Sequence, residues 1–435
     1  MRRTLDELPE SLDETYERVL KEIKKPNRDH ARRLLHCLAV AIRPLGVEEL
    51  AEILAVDFDD AEGVPKLNPN WRWEDEEQAL LATCSSLIDI VDTFKSRIVQ
   101  FSHFSVREFL TSTRLATLSG DASRFHIALE PAHTILAQAC MGIFLRSDDR
   151  DEQSDKGGGD NSPLAIYAAK YWMAHAQFEH VSSYLRTSME CLFDLDRPYF
   201  ANWRRLYDTN THPSSGSTFG LFTPTLRGTR TPASPLYYAA LCGFQDLVEY
   251  LIAKYPQHIN ASGGYYVRPL VAALGGRHFQ TAEFLRHSGA DPNVQGCRGN
   301  TPLRSAAYYG DVEMVRVLLN LEADVNIRGK NGKTPLDGAS TGPSDSDRIP
   351  DFPQLLANVA RLLLEHGADV DARDNDGLTA LHTAVHFVWV EVVRVLLEHG
   401  ANVGAEDKRG RTPLSLAKGY RRDEIMKLLL EHGAQ

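Results

Sequence analysis

The string Leu-Leu-Glu-His-Gly-Ala occupies residues 363–368, 396–401 and 429–434, each copy starting 33 residues after the one before. A second string keeps the same beat: Thr-Pro-Leu begins at Thr301, Thr334 and Thr412. Arg268-Pro-Leu falls on that beat and Ser234-Pro-Leu lies one residue off it. A fixed period of this length means stacked units that each contact mainly their neighbours. Such an array binds other proteins and carries no chemistry of its own, which sets the expectation for the rest of the chain.

At 435 residues the chain exceeds what one compact core organises, so at least two domains are expected. The formal net charge is −11, split as −8 before residue 230 and −3 after it. Neither part carries the basic excess that phosphate binding needs. Cys37, Cys84, Cys140, Cys191, Cys242 and Cys297 are scattered without a C-x-x-C pair, as reduced thiols in a reducing compartment would be. The N-terminus turns acidic at once without an apolar h-region, and the weakly polar run Ala132–Leu145 is too short to span a bilayer. A cytoplasmic protein with no membrane contact is the expectation.

The first third alternates helical and strand-like patterns. Leu5–Leu20 reads as a helix, with Ser11 and Glu14 placed as a capping box and Leu12, Tyr16, Val19 and Leu20 as its apolar stripe. Arg32–Leu54 gives two helices broken at Arg43-Pro44, because proline removes a donor. Glu76–Leu87 fits another helix. Leu87–Val91 and Arg97–Phe101 read as a hairpin, and Phe101–Leu110 starts a further helix. Helices followed by a two-stranded wing suggest a winged helix. The helix in the recognition position opens on Glu74-Asp75-Glu76-Glu77, and four carboxylates would repel a phosphate backbone. A protein-docking role is therefore favoured over DNA binding, the alternative reading.

Four segments give this region a specific resemblance: LPESLDETY, RPLGVEELAEIL, CSSLIDIV at Cys84–Val91, and FSHFSVREFL. It resembles the part that follows the nucleotide-binding domain in fungal NACHT-type, NLR-like proteins. There the first element closes the NTPase domain and the rest forms a winged helix of the GPI-inositol-deacylase type. No esterase is implied, since no G-x-S-x-G elbow exists; GSTFG at Gly216–Gly220 puts Thr218 at the key position within a linker.

In the middle, Pro131–Cys140, Ser162–Ala176 and Pro198–Asp208 have helical patterning and resemble the connector of fungal NACHT–ankyrin proteins. Tyr167, Tyr171, Trp172 and Phe178 are spaced as core residues. Arg146–Asn161 is too polar and glycine-rich to bury a core and reads as an exposed, disordered loop; Thr209–Ala233 reads as a linker.

The last half resembles ankyrin repeats, with six units starting near Pro235, Pro269, Pro302, Pro335, Ala380 and Pro413. Thr301, Thr334 and Thr412 are placed to cap the first helix of a unit, with proline at its first position. Gly367, Gly400 and Gly433 are placed to end the second helix, and Asp374–Gly377 and Asp407–Gly410 to turn a β-finger. Only the fifth unit keeps a histidine after the capping string, His382; the other units carry Tyr237, Val271, Arg304, Asp337 and Ser415 there. The glycine between the helices survives at Gly243 and Gly310 but becomes Arg277, Val388 and Arg421. A β-branched residue is strained at positive φ, so the fifth unit is expected to bend differently. An insert around Thr341–Phe352 lengthens the fourth unit, and the sixth ends without a polar cap.

Binding in such an array uses finger tips and the exposed side of the first helices. The candidates for contact with a protein partner are Arg298, Asn300, Lys330, Lys333, Asn375, Lys408, Arg409 and Arg411 on the fingers. Tyr308, Tyr309, His386 and Trp389 stand at or near the inter-helix positions; Cys297, Asn331, Phe387 and Tyr420 flank the two groups. Each taken singly is as compatible with solvation or inter-unit packing. Gly329–Thr334 ends in GKT but Ile327 stands where a P-loop needs its first glycine. His366, His399 and His432 recur once per unit, and stacked helices lie about 8–10 Å apart, too far to share an ion.

The sequence thus predicts a mainly α chain, a winged-helix and helical connector region followed by an ankyrin-repeat α-solenoid. The expected divisions are 1–28, the end of a NACHT-type domain; 29–120, winged helix; 121–208, connector; 209–233, linker; and 234–435, repeats. It predicts a non-enzymatic scaffold or sensor with a protein partner and no cofactor, metal, nucleic acid or small-molecule substrate. The alternative is a fragment of a longer NACHT-type NTPase.

Overall fold

The computed structural model describes residues 12–58, 64–93, 96–118, 120–145, 162–210, 232–264, 266–296, 299–343, 351–419 and 422–435. Ser11, the loop 146–161, most of the linker including GSTFG, Cys297, Arg298, residues 344–350 of the insert, Tyr420 and Arg421 lie outside the described residues. The chain divides into two compact bodies, residues 1–215 and 216–435.

The first body opens with α1 (Leu12–Glu22), which buries Leu20 and ties Tyr16 to Ser105 by a hydroxyl pair at 2.7 Å. Leu12 stays 62% exposed, so the buried stripe is narrower than the apolar pattern. α2 (Arg28–Val40) runs up to the Pro44 break. β1 (Leu45–Gly46) and α3 (Val47–Leu54) follow; Glu49 accepts the Gly46 N–H at 2.8 Å and closes the start of α3. β2 (Val56–Asp57) and β3 (Lys66–Leu67) pair with each other. α4 (Glu76–Cys84) leads into the hairpin of β4 (Ile88–Asp92) and β5 (Arg97–Phe101). The sheet is antiparallel in the order β1-β5-β4, with buried Val99 opposite both Leu45 and Ile90. Two residues of β1 escape a periodicity search, because a strand that short shows no alternation.

α5 (Phe104–Leu110) and α6 (Thr113–Thr117) are capped by His103 and Ser112. α7 (Leu129–Phe144) then packs across α2 and against α8 (Ala165–Ala176). α9 (Val181–Tyr184), α10 (Arg186–Leu192) and α11 (Tyr199–Asn210) complete the body. Trp172, Phe193 and Trp203 form its aromatic centre, with ring centroids 5.7–6.1 Å apart. Offset and edge-on pairs at such spacing add about 0.5–1.5 kcal/mol each beyond the buried area.

Two buried polar links tie the helices that follow the sheet to the helices before it. Glu52 of α3, 3% exposed, accepts from the Ser162 hydroxyl at 2.6 Å and the Leu164 N–H at 2.9 Å, and is ion-paired with Arg72. The Tyr167 hydroxyl accepts from the Ile42 N–H at 3.2 Å and lies 2.9 Å from His175 Nε2. The other ring nitrogen of His175 lies 2.8 Å from His133 Nδ1. Burial pushes His175 down to about 3, with the neighbouring His133 adding to the shift. Burial likewise takes His36 to about 4. Both imidazoles therefore fold neutral.

Among the described residues the second body contains six helix pairs. They are α12 (Pro235–Cys242) with α13 (Gln245–Lys254), α14 (Pro269–Gly275) with α15 (Phe279–His287), and α16 (Pro302–Tyr308) with α17 (Val312–Asn320). They continue as α18 (Pro335–Thr341) with α19 (Phe352–Glu365), α20 (Ala380–Phe387) with α21 (Val390–Glu398), and α22 (Pro413–Gly419) with α23 (Asp423–Glu431). Hydroxyl caps from Ser234, Thr301, Thr334, Thr379 and Thr412 start the first helices. Buried alanines such as Ala272, Ala307, Ala339, Ala384 and Ala417 let neighbouring first helices approach. The insert of the fourth repeat falls between α18 and α19.

One polar ladder runs through the repeat junctions. Asn260 accepts the Asp291 N–H (3.1 Å), Asp291 that of Asn293 (2.8 Å), and Asn293 that of Asp324 (2.8 Å). Asp324 takes Asn326 (2.9 Å), Asn326 takes Asp369 (2.8 Å), and Asp369 takes Asp371 (3.1 Å). Asp371 takes Asn402 (2.9 Å), and Asn402 takes Gly404 (2.9 Å). Bonds alternate within a repeat and across to the next.

The fifth repeat does not bend differently. Val388 stands at φ 65°, ψ 32°, close to Gly243 at φ 71°, ψ 26°. Arg277 at φ 60° does the same in the second repeat. Stacking on both sides holds the turn, and the side chain accepts the strain.

Two outcomes are expected. Val388 is 48% exposed, so Val388→Gly removes strain with little loss of buried surface and should raise stability by about 1 kcal/mol in urea unfolding. Gly243→Ala, whose Cβ would meet the His278 ring at 2.3 Å, should lower it. A destabilised Val388→Gly would show that the turn is unstrained. The second outcome concerns pH. An unfolded histidine binds a proton below about 6.5 while His36 and His175 stay neutral in the fold, so stability is full above that pH and falls below it. By pH 5.5, above most carboxylate titration, each should remove about 1.4 kcal/mol. The urea midpoint followed by tryptophan emission tests this, since Trp71, Trp73, Trp172 and Trp203 all lie in the first body. A midpoint unchanged from pH 7 to pH 5.5 would contradict it.

Candidate protein-binding surface

The fingers between repeats are built by aspartates turned inward. Asp374, 7% exposed, accepts the N–H groups of Asp376 and Leu378, each at 2.9 Å. Asp407, 6% exposed, accepts those of Arg409 at 2.8 Å and Arg411 at 2.9 Å. A carboxylate satisfied by two backbone donors fixes a tight turn and leaves the intervening side chains outside. Gly377 and Gly410 close these turns at φ 79° and 70°.

Consecutive tips are joined backbone to backbone. The Lys330 N–H donates to Gly299 O (2.8 Å), that of Asn375 to Asn331 O (2.9 Å), and that of Lys408 to Asp376 O (3.1 Å). A second row of bonds comes from side chains. Gln295 donates to Arg328 O (3.2 Å), Arg328 to Arg373 O (2.7 Å), and Arg373 to Glu406 O (2.5 Å). The pattern repeats at the unit spacing, so residues 295–300, 328–333, 373–378 and 406–411 form one continuous edge.

The sequence candidates separate on this frame. Lys330, Asn375, Lys408 and Arg409 are exposed on adjacent tips, with Lys333 half-buried beside them. Asn300, Arg411 and Trp389 are committed within the array. The Asn300 carbonyl accepts from Arg304 at 2.5 Å, and the Arg411 guanidinium bonds Asp407 at 2.8 Å. The Trp389 indole N–H donates to Thr341 O at 3.0 Å, and its ring packs 6.1 Å from Phe352. Arg298, with Cys297 and Tyr420 beside the two groups, lies outside the described residues.

At the inter-helix turns, Tyr308 and Tyr309 form a half-buried edge-on pair with centroids 5.1 Å apart. His386 and Phe387 form a second at 4.9 Å, exposed together with Val388. These belong to repeats three and five. Arg328 and Arg373 were not among the candidates. The available signal was their position, 45 residues apart like the Lys330 and Asn375 tips across the insert.

His382 explains why one unit keeps its histidine. It is fully buried; Nδ1 accepts the Thr379 N–H at 3.2 Å, and Nε2 lies 3.0 Å from Arg411 O in the next repeat. Burial lowers its pKa, so it bridges the junction as a neutral imidazole. In the fourth repeat Asp337 takes the capping half of this role, accepting the Thr334 N–H at 2.8 Å. His366, His399 and His432 each face the carbonyl four residues back, at 2.8, 2.8 and 2.9 Å. They finish the second helices, and no metal-binding cluster exists among the described residues. Nor, among those residues, is any helix long and apolar enough to cross a membrane.

Comparison with known proteins agrees with this architecture. Residues 354–435 match the family profile of ankyrin repeats (3 copies), 285–339 that of ankyrin repeats (many copies), and 331–375 the single ankyrin repeat. Residues 16–127 match the GPI inositol-deacylase, winged helix domain. The azaphilone pigments biosynthesis cluster protein L of Monascus ruber is 32% identical over 302 residues, 66% of this chain and 61% of that protein. Alpha-latrocrustotoxin-Lt1a of Latrodectus tredecimguttatus is 29% identical over 37% of this chain and 11% of its own length. The chain thus spans less than two thirds of either relative. An ankyrin repeat domain from Acinetobacter baumannii AYE covers 46% of this chain and 98% of its own, at 28% identity and TM-score 0.40. On the family profiles, the chain carries a winged helix of the deacylase-associated type and an ankyrin array, a protein-interaction module.

His382→Ala should leave the Thr379 N–H unmet, remove one of the two bonds to Arg411 O, which also accepts the Asp407 N–H at 3.0 Å, and open a cavity. We expect a loss of about 2–4 kcal/mol in urea unfolding. A loss below about 0.5 kcal/mol would show that the junction does not depend on this bridge.

Proposed function

We propose that the chain is a non-catalytic sensing module of the NLR-like kind, whose ankyrin array holds a protein partner. The observation that carries this reading is the continuous finger edge, where backbone bonds hold the register and side chains such as Lys330, Asn375 and Lys408 remain outside. An edge of that construction is fixed in shape before a partner arrives, so less ordering entropy is lost on binding. The order of parts, a deacylase-type winged helix followed by helices and ankyrin repeats, supports correspondence to the C-terminal half of a fungal NACHT–ankyrin receptor. The nucleotide-driven switch of such a receptor would then reside in a domain other than these two bodies.

The winged helix supports docking to protein rather than to nucleic acid. α4 begins on Glu76 and Glu77, and Glu77 is paired with Arg97 of the wing. The cation that a DNA-binding wing would offer to phosphate is thus already engaged.

Cross-linking of the purified full-length chain in lysate, followed by mass spectrometry, tests the reading. The expected result is a saturable protein partner whose cross-links fall on repeats three to six. Cross-links confined to the first body would overturn the assignment of the binding face. Hydrolysis of ATP or GTP by the purified chain above background would overturn the non-catalytic part.

A further inference from the structure

Resting on the interaction reading above, we infer that the finger edge takes an extended acidic segment of the partner protein. The edge carries Arg328, Lys330, Arg373, Lys408 and Arg409, all exposed, with Lys333 half-buried among them. The exposed acids beside them are Asp371, Asp376 and Glu406; Asp374 and Asp407 turn inward to bond the backbone. This excess of cations sits in a region whose net charge is negative.

The manner of bonding sharpens the point. Arg328 and Arg373 donate to neutral carbonyl oxygens, Arg373 O and Glu406 O, rather than to carboxylates. Those bonds position the guanidinium groups without cancelling their charge. Among the described residues, Lys330, Lys408 and Arg409 make no side-chain hydrogen bond or ion pair. Several other cations of the repeats are compensated: Arg277 pairs with Asp311 and Glu313, Arg286 with Glu322, and Arg411, at the base of its finger, with Asp407. Arg316 and Lys418 also stand exposed on their helices, but singly, whereas the finger cations lie on consecutive turns.

Geometry selects an extended chain. Neighbouring units of stacked helices repeat every ~10 Å, and an extended strand advances ~3.3 Å per residue. A carboxylate at every third residue would therefore meet one finger after another, from Lys330 through Arg373 to Lys408 and Arg409. A helical partner advances only ~1.5 Å per residue and would need about seven residues per finger. Backbone bonds between tips keep this spacing fixed, so the charges form a row in register. Attraction of this kind acts chiefly on association and is screened within ~10 Å at ordinary salt.

The test uses fluorescence anisotropy of the full-length chain with a labelled Glu-Gly-Ser repeat peptide, against a Lys-Gly-Ser repeat of equal length. The glutamate peptide should bind at low salt, release as salt rises, and bind roughly tenfold or more weakly to a Lys330→Glu, Lys408→Glu, Arg409→Glu variant. The lysine peptide should not bind the unaltered chain. These three side chains are exposed and, among the described residues, unbonded, so the variant should keep its melting temperature, which a thermal scan checks. Absence of glutamate-peptide binding at low salt, or equal binding by the variant, overturns the inference. So does a single-stranded oligonucleotide that displaces the peptide at lower concentration than unlabelled peptide itself. A partner cross-linked equally well by the variant, but lost on Phe387→Glu, would overturn the acidic-segment assignment while leaving the interaction reading intact.

Discussion

Each repeat in this array is a pair of helices of seven to fourteen residues, too short to stand alone in water. What makes them persist is the junction, and the junction is set by the Asp/Asn ladder from Asn260 to Gly404. Each rung gives a backbone N–H a fixed partner, alternately within a repeat and across to the next, where water would otherwise compete for it. A net ~1 kcal/mol per bond is modest, but a lost rung would hand its donor to water and loosen both neighbours. The rungs also fix the rise from one repeat to the next, and the finger edge inherits that spacing. Stability and binding geometry thus share one set of side chains.

This ladder shows where sequence reading reaches its limit. Helices, caps and turns depend on residues within a few positions of one another, so the helix starts at Pro235, Pro269, Pro302, Pro335, Ala380 and Pro413 were legible. So were the β4–β5 hairpin and the break at Pro44. The strings Ala323-Asp-Val-Asn and Ala368-Asp-Val-Asp, each just after a second helix, were visible as a pattern. Their meaning was not, since each partner lies one repeat away. Val388 makes the same point in reverse. Its local preference argued for a different bend, and the packing of two neighbouring repeats overrode it. Trp389 looked like a surface aromatic because its partner, Thr341, stands 48 residues earlier across an insert of unpredictable path.

In the first body the junctions are fewer and more deeply buried. Glu52 and the Tyr167–His175–His133 chain bring charge-bearing chemistry into an apolar setting, where each group is tolerated only because every one has a partner. A carboxylate bonded to Ser162, to a backbone N–H and to Arg72 specifies one packing of α3 against the start of α8, because no slipped arrangement would satisfy it. Leu or Ala at these places would pack as well, but would not discriminate between registers. The aromatic cluster around Trp172 supplies bulk; the polar links supply uniqueness.

The array separates what must stay constant from what can vary. The N–H of Lys330, Asn375 and Lys408 does the same work in three fingers, while their side chains differ in length, charge and hydrogen-bonding capacity. A backbone donor is present whatever the residue, proline apart, so a tip can change identity without loosening the stack. The inward aspartates behave oppositely. Asp374 and Asp407 cannot be exchanged for a residue lacking two acceptor positions without undoing the turn. It follows that selection for a new partner can act on the tips alone. The departures from repeat regularity that mark this chain as individual, its cationic tips and the insert of the fourth repeat, sit at positions the ladder leaves free.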